Sequence, residues 1–194
     1  MTDSALADRA GNDRSSRRAL LGALVGGAAI TLAGGRSVTA TTESPGLSDD
    51  DQALAGSAIG LELAARDLYD SAIAAGGDDD VWRAMREQHE AYGQLLAGIA
   101  GISALSRDDA TFDELAGGFG AGDPAAAALD LENVVAATHL DLLGRVDDAG
   151  LAGAMASFVT MESRHATVLA TISGQGDDLD ALFVNPATAL EIEA

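Results

Sequence analysis

The chain is organised around residues 158–172, FVTMESRHATVLATI. The apolar residues of this stretch recur at steps of three and four, which predicts an amphipathic helix with an inward stripe of Phe158, Met161, Val168, Leu169 and Ile172. Glu162 and His165 lie within that stripe, three residues apart, so they project side by side from one face. A carboxylate facing a core costs several kcal/mol unless a cation neutralises it. A glutamate followed one turn later by a histidine is also how di-metal carboxylate bundles present their ligands.

The composition favours an all-α protein. Ala, Leu and Gly dominate the 194 residues and strand-forming residues are scarce. Without its N-terminal leader the chain has the length of one ordinary domain with a real core. Cysteine is absent, which excludes disulfides and thiolate metal sites.

The charge of the chain is strongly negative. Residues 41–194 carry 28 Asp and Glu against 6 Arg, a formal charge of −22, and the chain has no Lys. Such a surface argues against nucleic acid and anionic membranes as partners. Heavy Asp use without Lys is typical of proteins from high-salt organisms, where screening removes the self-repulsion. We therefore expect an acidic, halophilic protein.

Residues 1–40 are predicted to be an export signal and residues 41–47 a linker. Arg17 and Arg18 precede a Gly-interrupted apolar run, which is shorter than the roughly 20 residues of a membrane span. The arginine pair and the run resemble a twin-arginine signal peptide, with small residues that allow cleavage after Ala40. The expected partner is the twin-arginine export machinery. The protein would be exported to the extracellular or cell-envelope side, without direct membrane binding after cleavage, and tethered if the signal stays uncut.

Four amphipathic helices are predicted after the linker, within residues 48–175. Cap residues, glycines and apolar spacing place them at about 48–75, 81–100, 123–146 and 148–173. Residues 102–122 form a crossover, with a short helix at 109–115 and a flexible connector at 117–122. Residues 176–194 are predicted to be a tail that packs on the helices as a short turn through Leu179, Leu182, Phe183 and Pro186.

Every predicted helix carries polar residues within its apolar stripe. Laying the third and fourth helices over the first and second gives an internal repeat of about seventy residues. In this repeat Glu132 corresponds to Glu62, His139 to Tyr69 and His165 to His89. Five inward residues form the candidate ligand set: Glu62, His89, Glu132, Glu162 and His165.

The third and fourth helices, with Leu131-Glu132, His139 and Glu162-Ser-Arg-His165, resemble the exported ferritin-like domain family, which is related to ferritins and rubrerythrins. Over residues 50–175 this resemblance implies an antiparallel four-helix bundle with a long crossover between the second and third helices. It also implies a di-iron-type site that binds iron or manganese. The five candidate ligands would hold the metal, and Tyr69 and His139 would orient them.

One residue departs from the family pattern, because Arg86 stands where a glutamate three residues before His89 is expected. In one interpretation the five candidates still hold one metal ion, or two with an incomplete shell, and iron, manganese or zinc suits such ligands. Oxidase or peroxide-consuming chemistry would then be the function. In the other, Arg86 turns inward and pairs with Glu62 or Glu162, which leaves a metal-free structural or stress-related bundle. Mineral storage is disfavoured by the missing carboxylate, and the sequence allows a homodimer.

Overall fold

The computed structural model describes residues 46–75, 80–119 and 122–192. Within these ranges the regular structure is helical and contains no strand, so the prediction of an all-α protein is confirmed. The helices are α1 (Asp49–Ala74), α2 (Asp80–Ala100), α3 (Asp109–Phe119), α4 (Pro124–Leu143), α5 (Ala149–Ile172) and α6 (Leu179–Phe183).

Three of the long helices, α1, α4 and α5, begin directly after a capping residue. The Ser48 hydroxyl accepts a hydrogen bond from the backbone N–H of Asp51 at 3.1 Å, and α1 has acidic residues in its first turn, where the helix dipole favours them. Asp148 caps α5 by accepting from the N–H of Leu151 at 2.8 Å. Pro124 occupies the first turn of α4, where its missing N–H costs nothing.

The four long helices pack in pairs around two apolar clusters. α1 lies along α2 and α4 along α5, with further contacts between α1 and α4 and between α2 and α5. One cluster includes Leu68 and Leu169, and the other includes Leu96 and Phe158. Along α1, α2 and α5, four buried ionisable residues fall in the sequence between members of the two clusters: Glu62, His89, Glu162 and His165. A polar layer therefore interrupts the apolar core.

The segment between α2 and α4 is more helical than predicted. α3 continues past position 115, so Gly117 and Gly118 are helical and the prediction that they belong to a flexible connector is wrong. Before α3, the Asp108 N–H donates to the Gly60 carbonyl at 3.0 Å. A Cβ at Gly60 would lie 3.2 Å from Asp108 Cβ, so glycine permits this close approach. α3 then packs on the core through Phe112, Leu115 and Phe119.

Two residues of the predicted α5 stripe do not face the core. Val168 is 42% exposed and Ile172 is 48% exposed, whereas Phe158, Glu162 and Leu169 are buried. At about 100° per residue, Val168 points roughly 100° and Ile172 roughly 60° away from Leu169. Apolar spacing alone therefore predicted too wide an inward face.

The predicted tail also differs in detail. It forms the short helix α6, in which Leu182 packs against the core while Leu179 and Phe183 are exposed. Further on, the Leu190 N–H donates to the Thr138 hydroxyl at 3.0 Å, so the tail follows α4. α4 itself ends three residues before the predicted position 146.

The predicted export signal, with Arg17, Arg18 and Ala40, lies outside the described residues, as does most of the predicted linker. None of the helices in the described ranges combines the length and the apolar character that a membrane span needs.

One further contact connects the helix ends: the buried Asp51 carboxylate accepts hydrogen bonds from the backbone N–H groups of Asp147 and Asp148, each at 3.0 Å. This carboxylate ties the start of α1 to the start of α5.

Candidate metal centre

Six ionisable side chains from the four long helices are buried together. Five of them have no exposed surface and the sixth, His165, is only 5% exposed. The group contains all five predicted ligands and every histidine of the chain. Such burial is stable only when the charges compensate one another or an ion. The six residues are Glu62 from α1, His89 from α2, Glu132 and His139 from α4, and Glu162 and His165 from α5.

His89, Glu132 and His165 form the first of two groups, the histidine-rich triad. One ligand atom from each residue lies within 4.8 Å of the others. The Glu132 carboxylate contacts both imidazoles, through Oε1 to His89 Nε2 and through Oε2 to His165 Nδ1, each at 3.1 Å. Two imidazole nitrogens and one carboxylate are the donor set of many non-haem Fe(II) sites.

Glu62, His139 and Glu162 form the second group, the carboxylate-rich triad, with ligand atoms again within 4.8 Å. His139 Nδ1 lies 2.9 Å from Glu162 Oε1, and His139 Nε2 lies 3.3 Å from Glu62 Oε1. The sequence predicted His139 only as an outer partner, but the structure places it among the potential ligands. Two carboxylates and one imidazole suit iron or manganese.

The two triads are joined by direct contacts. His89 Nδ1 lies 2.7 Å from Glu62 Oε2. The Tyr69 hydroxyl donates to Glu132 Oε1 at 2.5 Å, and the Tyr69 ring stacks on His89 with centroids 5.5 Å apart. In each half of the repeat, the residue seven positions after the glutamate therefore contacts the glutamate of the other half: Tyr69 contacts Glu132, and His139 contacts Glu62.

The surroundings of the histidine-rich triad favour a deprotonated Glu132 and a protonated His89. Burial lowers the pKa of His89, but the Glu132 and Glu62 carboxylates outweigh burial and hold this pKa well above its usual value. Burial raises the pKa of Glu132, but His89 and His165 overcome that effect and bring it down to about 2. In the absence of metal, Glu132 is thus a stabilised carboxylate beside a protonated His89.

The carboxylate-rich triad has an excess of negative charge. Burial raises the pKa of Glu162 to about 6, because the carboxylates of Glu62 and Glu132 add to burial and together exceed the opposing effect of His139. Burial lowers the pKa of His139, yet its carboxylate neighbours raise it overall. The raised pKa of His139 reflects the carboxylates around it, and two buried carboxylates beside one imidazole attract a cation.

The prediction that Arg86 could turn inward and compensate the buried carboxylates is wrong. Its guanidinium donates to the Asp70 carboxylate at 3.0 and 3.3 Å and also to Glu90. None of its hydrogen bonds within the described ranges goes to Glu62 or Glu162. Asp70 and Glu90 are about half exposed and offer Arg86 charge partners that need no desolvation, so the arginine stays outside. The histidines compensate the core carboxylates instead.

Gln88 also contributes to the site, although the sequence did not predict it. Gln88 Oε1 accepts from His165 Nε2 at 2.9 Å and from the Tyr92 hydroxyl at 3.1 Å. This contact leaves the other ring nitrogen of His165 facing Glu132, as a carboxylate or carbonyl partner does for metal-binding histidines. Gln88 directly precedes the predicted ligand His89, and its four-residue spacing from Tyr92 was the available signal.

The carboxylate-rich triad passes a test for metal fit. Three buried side-chain atoms have no hydrogen-bond partner among the described residues: Glu62 Oε1, His139 Nε2 and Glu162 Oε2. They are one atom from each member of this triad, whereas buried polar atoms are normally paired. His139 presents Nε2 while Nδ1 faces a carboxylate, which is the usual arrangement of a metal-binding histidine. The residues therefore fit a divalent transition-metal ion.

The fold and the site define an all-α protein with a buried cluster of histidine and glutamate that could hold metal ions. Comparisons with protein-family models, with curated proteins and with solved structures found no match. The chemistry of the site is therefore the basis for a functional proposal.

Proposed function

We propose that this chain is an exported metal-binding protein in which α1, α2, α4 and α5 form a ferritin-like, antiparallel four-helix bundle around two metal ions. α3 and its flanking segments would be the long crossover between the second and third bundle helices. The observation that carries the proposal is the pair of adjacent, fully built triads, which draw on all four long helices. The family resemblance of the α4 and α5 residues supports it.

Iron and manganese suit both triads, since imidazole and carboxylate are their common protein ligands. Such ions supply one- and two-electron redox chemistry when bound, so the proposed role is a redox one. The protein contributes a rigid ligand set: Tyr69 holds Glu132, and His89 links the triads through Glu62. Burial of all six side chains keeps bulk water away from them.

A second candidate is a metal-free structural or stress-related bundle. The hydrogen bonds between histidines and glutamates favour it, because each of the three buried glutamates has an imidazole partner. In this metal-free bundle the histidines, and not Arg86, would offset the buried carboxylates in place of a metal ion. It leaves three buried atoms of the carboxylate-rich triad without a hydrogen bond, although His139 Nε2 and Glu62 Oε1 lie 3.3 Å apart; a metal ion would satisfy all three.

The proposal also includes export of the protein and the salt-rich exterior that it would enter. Arg17 and Arg18 would direct folded protein through the twin-arginine export machinery, and changing both to lysine should retain it in the cytoplasm. Unchanged export of that variant would remove the assignment. The charge of −22 on residues 41–194 argues for a salt-rich exterior and against nucleic acid as a partner.

Metal analysis of untagged, full-length protein separates the two candidates. We expect two iron or manganese ions per chain, one for each triad, after loading and desalting. Glu132→Gln should lose at least one ion, whereas Glu87→Gln, the same change at an exposed position of α2, should lose none. Wild-type protein without bound metal would establish the metal-free bundle.

A further inference from the structure

We propose that the two triads bind metal in a fixed order. The carboxylate-rich triad takes the first ion and retains it, and the histidine-rich triad takes a second ion that exchanges faster with solvent. This inference rests on the proposed function and deepens it, because it makes His139 a ligand of the tighter site and gives the two sites different behaviour.

The first observation is an imbalance in hydrogen bonding. In the carboxylate-rich triad each residue has one buried atom without a partner among the described residues. In the histidine-rich triad every ring nitrogen and carboxylate oxygen has a hydrogen-bond partner: His89 has Glu62 and Glu132, Glu132 also has Tyr69, and His165 has Glu132 and Gln88. One triad is short of a ligand, and the other is satisfied without one.

The second step is what binding would displace. Coordination by Glu62 Oε1, His139 Nε2 and Glu162 Oε2 would leave intact the contacts of Glu62 Oε2 with His89 and of His139 Nδ1 with Glu162. It would replace only the 3.3 Å approach of His139 Nε2 to Glu62 Oε1, which is not a hydrogen bond. Coordination by the histidine-rich triad requires His89 Nε2 and His165 Nδ1 to give up contacts with Glu132. Since exchanging a satisfied hydrogen bond gains less than satisfying an orphaned buried atom, the carboxylate-rich triad should have the higher affinity.

The third observation concerns access. The side chains of Glu62, His139 and Glu162 have no exposed surface, whereas that of His165 is 7% exposed and contacts the half-buried Gln88. The histidine-rich triad is thus the part of the cluster nearest to solvent. An ion held there should leave faster than one held by the carboxylate-rich triad.

The test uses the full chain, freed of metal by a chelator and titrated with Co²⁺ alone in molar salt. Isothermal titration and visible absorption should resolve two phases of one ion each, with dissociation constants that differ by roughly tenfold or more. His139→Gln should abolish the tighter phase, and His165→Gln should abolish the weaker phase while retaining the tighter one. Glu87→Gln serves as the matched control and should retain both phases.

The reverse pattern in the two variants, or a single phase of two equivalent ions, would overturn the order but leave the proposed function standing. Absence of Co²⁺ binding to the wild type would overturn both the order and the proposed function.

If the variants fail to fold, as judged by circular dichroism, the binding order is tested on the metal-loaded wild type. EDTA should remove one ion per chain roughly tenfold faster than the other, and loss of both at one rate overturns the order.

Discussion

Replacing Glu132 by glutamine tests the charge balance of the metal-free core. The carboxylate accepts from Tyr69 and contacts His89 and His165, and the two histidines bring its pKa from an ordinary 4.5 to about 2. At about 1.4 kcal/mol per pH unit, this difference corresponds to about 3 kcal/mol of stabilisation at neutral pH. Removal of one partner from a buried ion pair typically costs about 3–5 kcal/mol, which is the same range. We expect Glu132→Gln to lower the free energy of unfolding by about 3 kcal/mol.

Urea denaturation of chelator-treated protein, followed by far-UV circular dichroism at pH 7 in molar salt, measures this loss. Glu87→Gln makes the same chemical change on the exposed face of α2 and should change stability by less than about 0.5 kcal/mol. A loss for Glu132→Gln within about 1 kcal/mol of that control would refute the charge balance described here.

The pH dependence of the free energy of unfolding is a second test of the charge balance at Glu132. The folded pKa of Glu132 is lower than the unfolded one, so its stabilisation is present above about pH 4.5 and is lost as the pH falls towards about 2. The stabilities of wild type and Glu132→Gln should therefore converge across this window. A difference that stays constant would mean that the loss comes from packing and not from charge.

Three further changes test other parts of the structure. Arg86→Ala should cost less than about 1 kcal/mol in urea denaturation, because its partners are exposed surface carboxylates; a loss of about 3 kcal/mol or more would show that Arg86 serves the core. Asp51→Ala should cost roughly 2 kcal/mol, since two backbone N–H groups lose their acceptor, and a change near zero would contradict this tie between α1 and α5. The melting temperature should rise clearly between about 0.1 M and 1 M salt as the Debye length falls from roughly 10 Å to 3 Å, and a flat profile would remove the halophile interpretation.

The positions of the buried ionisable residues could be predicted from the sequence. Glu62 and Glu132 interrupt otherwise apolar stripes at helical spacing, and both are fully buried. Spacing within one helix fixes which residues share a face, because the helical period is constant. It did not fix the width of the inward face of α5, where Val168 and Ile172 are exposed.

The pairing between helices could not be predicted, because it depends on how each helix is rotated against its neighbours. Arg86 corresponds in the repeat to Glu162, and Tyr69 corresponds to His139. The second half of the repeat buries His139 against Glu162. The first half buries the neutral Tyr69 at the corresponding position, and its Arg86 pairs with Asp70 at the surface. Tyr69 donates to Glu132, but a neutral phenol carries no positive charge that would require a further carboxylate at position 86.

Anomalous diffraction from crystals of untagged, manganese-loaded protein would show whether metal ions lie within both triads. We expect two anomalous peaks per chain, one contacted by Glu62, His139 and Glu162 and the other by the histidine-rich triad. A core without anomalous signal, in which the histidine–glutamate hydrogen bonds persist in the loaded crystals, would contradict it.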